Sequence, residues 1–315
     1  MDLAVWNKNK LLNAIQSALL VVFMAALLGL VGWMLGGHLF ALSAVAAMIV
    51  LYFFAPKMSP FLILKMVHGR RLSYQDTPGL YLVLEKLARR AKLPRLPMLY
   101  YFPGSVMNAF TVGSRENAAI AVSQRLLDGL NSSEITAVLA HEVSHIRSND
   151  MRIIGFADLA NRLTHGLSLF GQLLLIVNLP LVLFSGISIN WMAILLLIFA
   201  PGISALLQLA LSRSREYNAD LGAVELMGNP GALATALAKI ENHGSTFFNR
   251  LPWPANPNSQ VLRTHPPTRE RIRRLMAIRD PAPFSNGNVS PRYPYDTVKP
   301  IRIIPPNILG SHLKY

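Results

Sequence analysis

From Leu11 to Pro56 the chain carries no Asp, Glu, Lys or Arg, and this run constrains the fold more than any other feature. His38, beside Gly36-Gly37, is its one histidine. A helix crossing a hydrocarbon core of about 30 Å needs about 20 apolar residues. The run therefore has room for two spans with a tight turn at the glycine pair. It is far longer than the apolar part of a signal peptide and no small-x-small cleavage site follows, so it is expected to stay as an anchor. A second charge-free run extends from Gly166 to Ser212, with a turn expected at Ser185-Gly186-Ile187-Ser188. Asn178, Pro180, Asn190 and Pro201 interrupt it, so a hairpin buried in protein would read in the same way as one that spans. The expectation is two transmembrane helical hairpins, four spans. A chain that is 52% hydrophobic and 15% charged over 315 residues agrees with this, being too apolar for an ordinary soluble enzyme.

Charge placement gives the hairpins a direction. Lys8 and Lys10 precede the first run, Lys57, Lys65, Arg70 and Arg71 follow it, and Arg213 and Arg215 follow the second. Both expected turns lack Lys and Arg, so everything outside the hairpins belongs on the cytoplasmic side. The net charge of +14 raises the question of nucleic acid. The basic clusters, Arg70-Arg71, Arg89-Arg90 and Arg269 through Arg274, have no accompanying helix-turn-helix or aromatic-rich binding strand. An anionic lipid surface is the simpler partner for them. The absence of cysteine removes disulfides and thiolate metal sites.

The chemistry is concentrated in His141-Glu142-Val143-Ser144-His145. Two imidazoles four apart on a helix point the same way and can hold one zinc ion, while the glutamate beside the first can take a proton from a metal-bound water. The helical context is present. Asn131 is an N-cap candidate with Glu134 three residues on, and Ile135, Val138 and Leu139 follow at helical spacing. Arg147-Ser148-Asn149-Asp150 closes the segment as a polar run.

The rest of the intervening chain reads as a compact α+β domain. A helix is expected from Thr77 to Ala91 on the spacing of Leu80, Leu84 and Leu87, stopped by Pro94 and Pro97. Short strands at Met98–Phe102, Met107–Val112 and Ala118–Val122 suggest a small antiparallel sheet packed on the zinc helix. After Asp220 the helical pattern continues through Leu221, Val224 and Leu226 to Gly228-Asn229-Pro230, further helices are expected over 231–242 and 268–278, and residues 281–315, rich in Pro, Asn and Ser, read as a loosely ordered tail.

Two histidines need a third protein ligand, and Ser212-Arg213-Ser214-Arg215-Glu216-Tyr217-Asn218-Ala219-Asp220 offers candidates. Glu216 and Asp220 share a helix face, so one can bind metal while the other accepts the free N–H of a ligating histidine. By spacing alone, an exposed acidic pair balancing Arg213 and Arg215 fits equally well.

The chain resembles the HtpX-like membrane zinc peptidases, gluzincins related to the CAAX prenyl proteases. The resemblance rests on His141-Glu-Val-Ser-His145, on the Glu216 to Asp220 segment, on Asn108-Ala109-Phe110 followed by Thr111-Val112-Gly113, and on Thr264-His265-Pro266-Pro267-Thr268 leading into Arg271-Ile272. It covers the chain from the first apolar run to about Leu275. It implies one zinc ion per chain, held by His141, His145 and Glu216, with Asp220 behind a ligand and Glu142 as the catalytic base. It also makes His265 a candidate for steadying the tetrahedral intermediate, the alternative being a cap on the helix that follows. Asn108, Ala109 and Phe110 would border the cleft and add a substrate peptide as an extra strand, or form an ordinary half-buried strand.

The resulting expectation is an α-helical membrane protein with an α+β zincin-like peptidase domain. Its parts would be a hairpin over 1–56, peptidase segments over 57–165 and 213–280, a second hairpin over 166–212 and a tail over 281–315. By resemblance it cleaves membrane or misfolded polypeptides in quality control at the bacterial inner membrane, with a cytoplasmic active site. A CAAX prenyl-protein protease and a catalytically silent, zinc-stabilised scaffold stay open, the latter opposed by the intact Glu142.

Overall fold

The structure is a computed structural model that describes residues 3–54, 60–184, 190–248 and 267–278. The first apolar run forms α1, Leu3–Phe54, which is helical on both sides of Gly36 and Gly37. Gly37 has φ +72, a left-handed conformation that glycine adopts at little steric cost. A Cβ on Gly32 would lie 3.2 Å from the Cα of Ala41. Nine residues of straight helix would separate those positions by about 13 Å, so α1 is folded back on itself as a hairpin. Among the described residues, three helices are long and apolar enough to cross a membrane: Leu11–Phe53, Asp150–Pro180 and Trp191–Met227, the first of them the folded one.

The second run lies in α6, Asp150–Phe184, and α7, Trp191–Met227. These two are antiparallel neighbours, tied by Gln172 Nε2 donating to the Leu197 carbonyl at 2.8 Å and by Gln208 Nε2 approaching Asp158 Oδ1 at 3.5 Å. Both helices continue well beyond the apolar run, so the expected boundaries at 166 and 212 fall inside unbroken helix. Met24, Leu28 and Met48 of α1 bury against Ala157, Ala160 and Leu211 of the pair. Facing outward are Leu19, Phe23, Leu42, Phe53, Phe170, Ile176, Ile198 and Phe199, all exposed. An apolar exterior around a small, closely packed interior is what lipid as solvent requires, and with the three helices it marks a membrane protein.

The remaining elements are α2, Pro60–Met66; β1, Arg70–Arg71; α3, Pro78–Arg90; β2, Met98–Phe102; β3, Ala109–Ser114; β4, Asn117–Ser123; α4, Gln124–Gly129; α5, Ser132–Ser148; α8, Pro230–Phe248; and α9, Thr268–Ala277. The sheet has the order β1-β2-β4-β3, with β2 and β4 parallel and the other pairs antiparallel. This corrects the wholly antiparallel expectation. After β2 the chain crosses over one strand position, β3 takes the edge, and β4 returns by a tight hairpin into the gap. Alternation along β3 then sends Phe110 and Val112 to a cluster with Leu64, Tyr100 and Phe102. Ala109 packs on the other side, against the core built around α5.

Helix α5 is buried almost all round, from Glu134 to Ile146, because α3, the sheet, α7 and α8 each cover part of it. Its start is the expected capping box: Glu134 N–H donates to Asn131 Oδ1 and Asn131 N–H donates to Glu134 Oε2, both at 2.9 Å. Lys239 of α8 neutralises that buried glutamate at 2.7 Å. The 281–315 tail lies outside the described residues.

Candidate metal centre

Local backbone geometry begins the site. Helix α5 stops at Ser148 because Asn149 turns into the left-handed region at φ +56, with its N–H bonded back to the His145 and Ile146 carbonyls. Asparagine tolerates that conformation better than most residues. Helix α6 starts at the next residue. This one-residue joint sets Asp150 Oδ2 2.7 Å from His145 Nδ1. On its other side Asp150 Oδ1 accepts from Arg215 Nε at 2.6 Å and also from Nη2 of the same guanidinium.

Helix α7 crosses α5 closely and supplies the carboxylates. His141 Nε2 and His145 Nε2 are 3.1 Å apart. Glu216 lies 3.5 Å from the first nitrogen and 3.7 Å from the second. His141 Nδ1 is 3.1 Å from Asp220 Oδ1. From α9, Arg271 donates to both Asp220 oxygens at 2.8 and 2.6 Å and reaches Glu216 Oε2 at 3.1 Å. The base candidate is held as well: Thr111 of β3 donates from Oγ1 to Glu142 Oε2 at 2.6 Å.

One ligand atom each from His141, His145 and Glu216 falls within 4.8 Å of the others, and two properties of the site fit a divalent cation there. The first is donor chemistry. His141 Nδ1 and His145 Nδ1 lie 3.1 and 2.7 Å from their own aspartates, and with the ring protons on those nitrogens the facing Nε2 atoms would be two lone pairs that one shared cation could bind. The second is charge. Glu142, Asp150, Glu216 and Asp220 are four buried carboxylates, while Arg215 and Arg271 are two buried guanidiniums. Two negative charges are left over in a dry environment, where uncompensated charge is very costly. A divalent cation would supply those two charges. With no metal, a proton takes part of that role at His141: burial pulls its pKa down, but the Asp220 and Glu216 carboxylates outweigh burial and push it up to about 10.

Of the residues expected from sequence, His141, Glu142, His145, Glu216 and Asp220 come together here. Asn108, Ala109 and Phe110 lead into the edge strand. The Asn108 N–H donates to Ser123 Oγ and its carbonyl accepts from Ser123 N–H, both at 2.9 Å. The Phe110 ring meets that of Phe102 at a centroid distance of 5.5 Å, tilted by 48°. Among the described residues, no strand pairs with the far side of β3. His265 lies outside the described residues.

One reading is corrected: Arg271, within the basic run assigned to a lipid surface, is buried against Asp220 and Glu216, and Arg215, one of the basic residues that follow the second run, is buried against Asp150. Sequence reasoning missed Thr111 and Asp150 too. Asp150 is five residues past His145, outside the period of the helix face, and only the left-handed joint at Asn149 brings it round.

Residues 75–279 match the sequence profile of Peptidase family M48. The chain is 34% identical over 289 residues to a Protease HtpX homolog of Campylobacter hominis, covering 85% of this chain and 99% of that one. It is 34% identical over 290 residues to a Protease HtpX homolog of Pyrococcus furiosus, covering 84% and 95%. A crystal structure of S. mikatae Ste24p aligns with a TM-score of 0.48 at 20% identity, over 85% of this chain and 66%, just under two thirds, of that one.

Proposed function

The chain belongs to peptidase family M48 and is a metalloprotease, and from that premise we propose that it is a zinc-dependent membrane endopeptidase whose site faces the cytoplasm. The observation that carries this is the residual charge of the buried cluster, two carboxylates in excess around three convergent ligand atoms. Zinc held there by His141, His145 and Glu216 would lower the pKa of a water and polarise a scissile carbonyl. Glu142 accepts the proton of the attacking water and returns it to the leaving amine. Asp220 and Asp150 keep the two imidazoles in the tautomer that leaves Nε2 free to coordinate. Arg271 pairs with the Glu216 and Asp220 carboxylates; burial pushes the Asp220 pKa up, and the guanidinium beside it outweighs burial and holds it below the ordinary carboxylate value. The unpaired edge of β3 suits an extended peptide, with Asn108, Ala109 and Phe110 at the start of the docking strand.

The location of the site favours substrates that leave or approach the bilayer. Ser17 Oγ of α1 lies 3.2 Å from Ser214 Oγ, two residues before Glu216. The nineteen residues from Ser17 to the Gly36 turn rise about 29 Å, close to one hydrocarbon thickness. The centre is thus one membrane thickness from the turn, at the end of the bundle that carries Lys8 and Lys10, which is the cytoplasmic end by the positive-inside rule. We read the role as quality control of membrane or misfolded proteins at the inner membrane, with both hairpins spanning.

Purified protein in detergent should contain one zinc per chain and digest casein or an unfolded membrane protein. Glu142→Gln should keep the zinc and lose hydrolysis, whereas His141→Ala, His145→Ala and Glu216→Ala should lose both. Equal zinc loss in Glu142→Gln and Glu216→Ala would overturn the assignment, and cleavage restricted to prenylated peptides would redirect it to the CAAX reaction.

A further inference from the structure

We propose that Thr111, on the edge strand, is a positioning residue for the base Glu142, so that the strand offered to substrate also sets the aim of the catalytic carboxylate. The inference rests on the reading of Glu142 as the base. It starts from an oddity of β3. The face of this strand that turns toward α5 carries Ala109, Thr111 and Gly113, and the opposite face carries Phe110 and Val112. The α5 side borders the main core, where a β-branched valine or isoleucine would ordinarily stand. Thr111 has the branched shape but a hydroxyl as well, and it is buried. A buried hydroxyl without a partner is unfavourable, and the partner found here is Glu142 Oε2 at 2.6 Å. Donation to a carboxylate at that length is a charge-assisted bond, stronger than one between neutral groups.

The geometry has a chemical consequence. Glu142 is on α5, between two ligating histidines and thirty-one residues from Thr111. Its side chain has three rotatable bonds, and proton transfer needs one oxygen within hydrogen-bond reach of the water. Thr111 ties down Oε2, which directs Oε1 and removes rotamers that would point the carboxylate away. Among the described residues no arginine or histidine bonds directly to Glu142, although the Arg271 charge acts on it from farther off, whereas Asp150 is bonded to Arg215 and Asp220 and Glu216 are paired with Arg271. A neutral hydroxyl can orient a carboxylate without neutralising it, so the group remains available to accept a proton. Because β3 has no strand partner on its far side among the described residues, a peptide added there would stiffen the backbone that carries Thr111. Substrate docking and base orientation are then linked through one side chain.

The test compares Thr111→Val, which keeps shape and removes the donor, with Thr111→Ser, which keeps the donor and removes a methyl. On a peptide substrate Thr111→Val should lower kcat about 10-fold, a fraction of the 10²- to 10⁴-fold that a positioned base supplies. KM should stay within about twofold, because uniform binding is untouched. Zinc content should match the parent and both variants should stay folded, with Thr111→Val melting somewhat lower because a buried carboxylate oxygen loses its donor. Thr111→Ser should retain most of kcat, and the parent's kcat gain on lengthening the peptide along β3 should shrink in Thr111→Val. Unchanged kcat in Thr111→Val overturns the proposal, as does a Thr111→Ser variant as slow as Thr111→Val, which would mean that the methyl packs and the hydroxyl does nothing. Parallel loss of zinc or of folding in both variants also overturns it, in favour of a structural role. Glu142→Gln, assayed alongside, separates the two levels: if it remains active the proposed base is wrong, and if it is inactive while Thr111→Val is normal only the positioning role falls.

Discussion

Gly222→Ala probes the joint on which the metal centre depends. Gly222 is on α7, six residues past Glu216, and it faces Ser144, which sits between the two histidines of α5. An alanine Cβ at this position would lie 1.9 Å from Ser144 Oγ and 2.9 Å from Ser144 Cβ. The hydroxyl can rotate away, but the second contact is nearly backbone against backbone. Carbon atoms prefer about 3.5–4.0 Å, so α5 and α7 would have to part by about 0.6–1 Å. Helix propensity pushes the other way, since alanine is better than glycine in a helix interior by about 1 kcal/mol. Overpacking a dense interior costs about 1–3 kcal/mol, and it should win. The larger effect should be on zinc, because His141 and His145 come from one helix and Glu216 from the other. Zinc–ligand distances tolerate only about 0.2 Å, less than the required separation, so affinity should fall at least about 10-fold. Competition with a chromophoric chelator reads affinity, and thermal unfolding in detergent reads stability. Adding Ser144→Gly removes the two closest atoms met by the new Cβ, leaving Arg147 Nη2 at 3.2 Å, and should restore zinc binding, with stability close to the parent's because the gain of about 1 kcal/mol at 222 offsets the smaller loss at 144. A Gly222→Ala protein that is more stable than the parent and binds zinc as tightly would refute the argument.

Asp220→Asn should weaken zinc binding by about 10- to 100-fold with the fold intact, and unchanged affinity and activity together would remove Asp220 from the outer shell. Asp150→Asn should do the same through His145 and also strand the buried Arg215 guanidinium, so its melting temperature should fall further than that of Asp220→Asn, whose Arg271 keeps Glu216; equal melting temperatures would count against the Asp150–Arg215 pair. Arg271→Met keeps the stem but leaves Glu216 and Asp220 without their shared cation, so the metal-free protein should lose more stability than the zinc-loaded one, and equal losses in both forms would show that the arginine serves packing alone. For topology, a single cysteine introduced at Ser188 into this cysteine-free chain should be labelled from outside by an impermeant thiol reagent, as should one at Gly37; labelling at 188 only after the membrane is breached would leave the first hairpin as the sole anchor.

Much of this molecule is legible without coordinates because its signals are local. Charge-free runs, the Gly36-Gly37 break, the Asn131 cap and the i, i+4 spacings of His141 with His145 and Glu216 with Asp220 each follow from neighbours along one helix. Spacing alone left Glu216 and Asp220 open between ligand pair and exposed acids, and burial beside His141 is what separates the two. Sheet order was decided elsewhere, since β4 enters between β2 and β3 only once the crossover is made. The same holds for the polar environment of the metal centre. Asp150 needs the left-handed joint at Asn149, Arg215 reaches back sixty-five residues, and Arg271 reaches Asp220 across fifty-one. In sequence those arginines look like any basic residues near a membrane. What makes them part of the site is that four carboxylates are buried together, and a buried charge must find its partner wherever the chain brings one within reach.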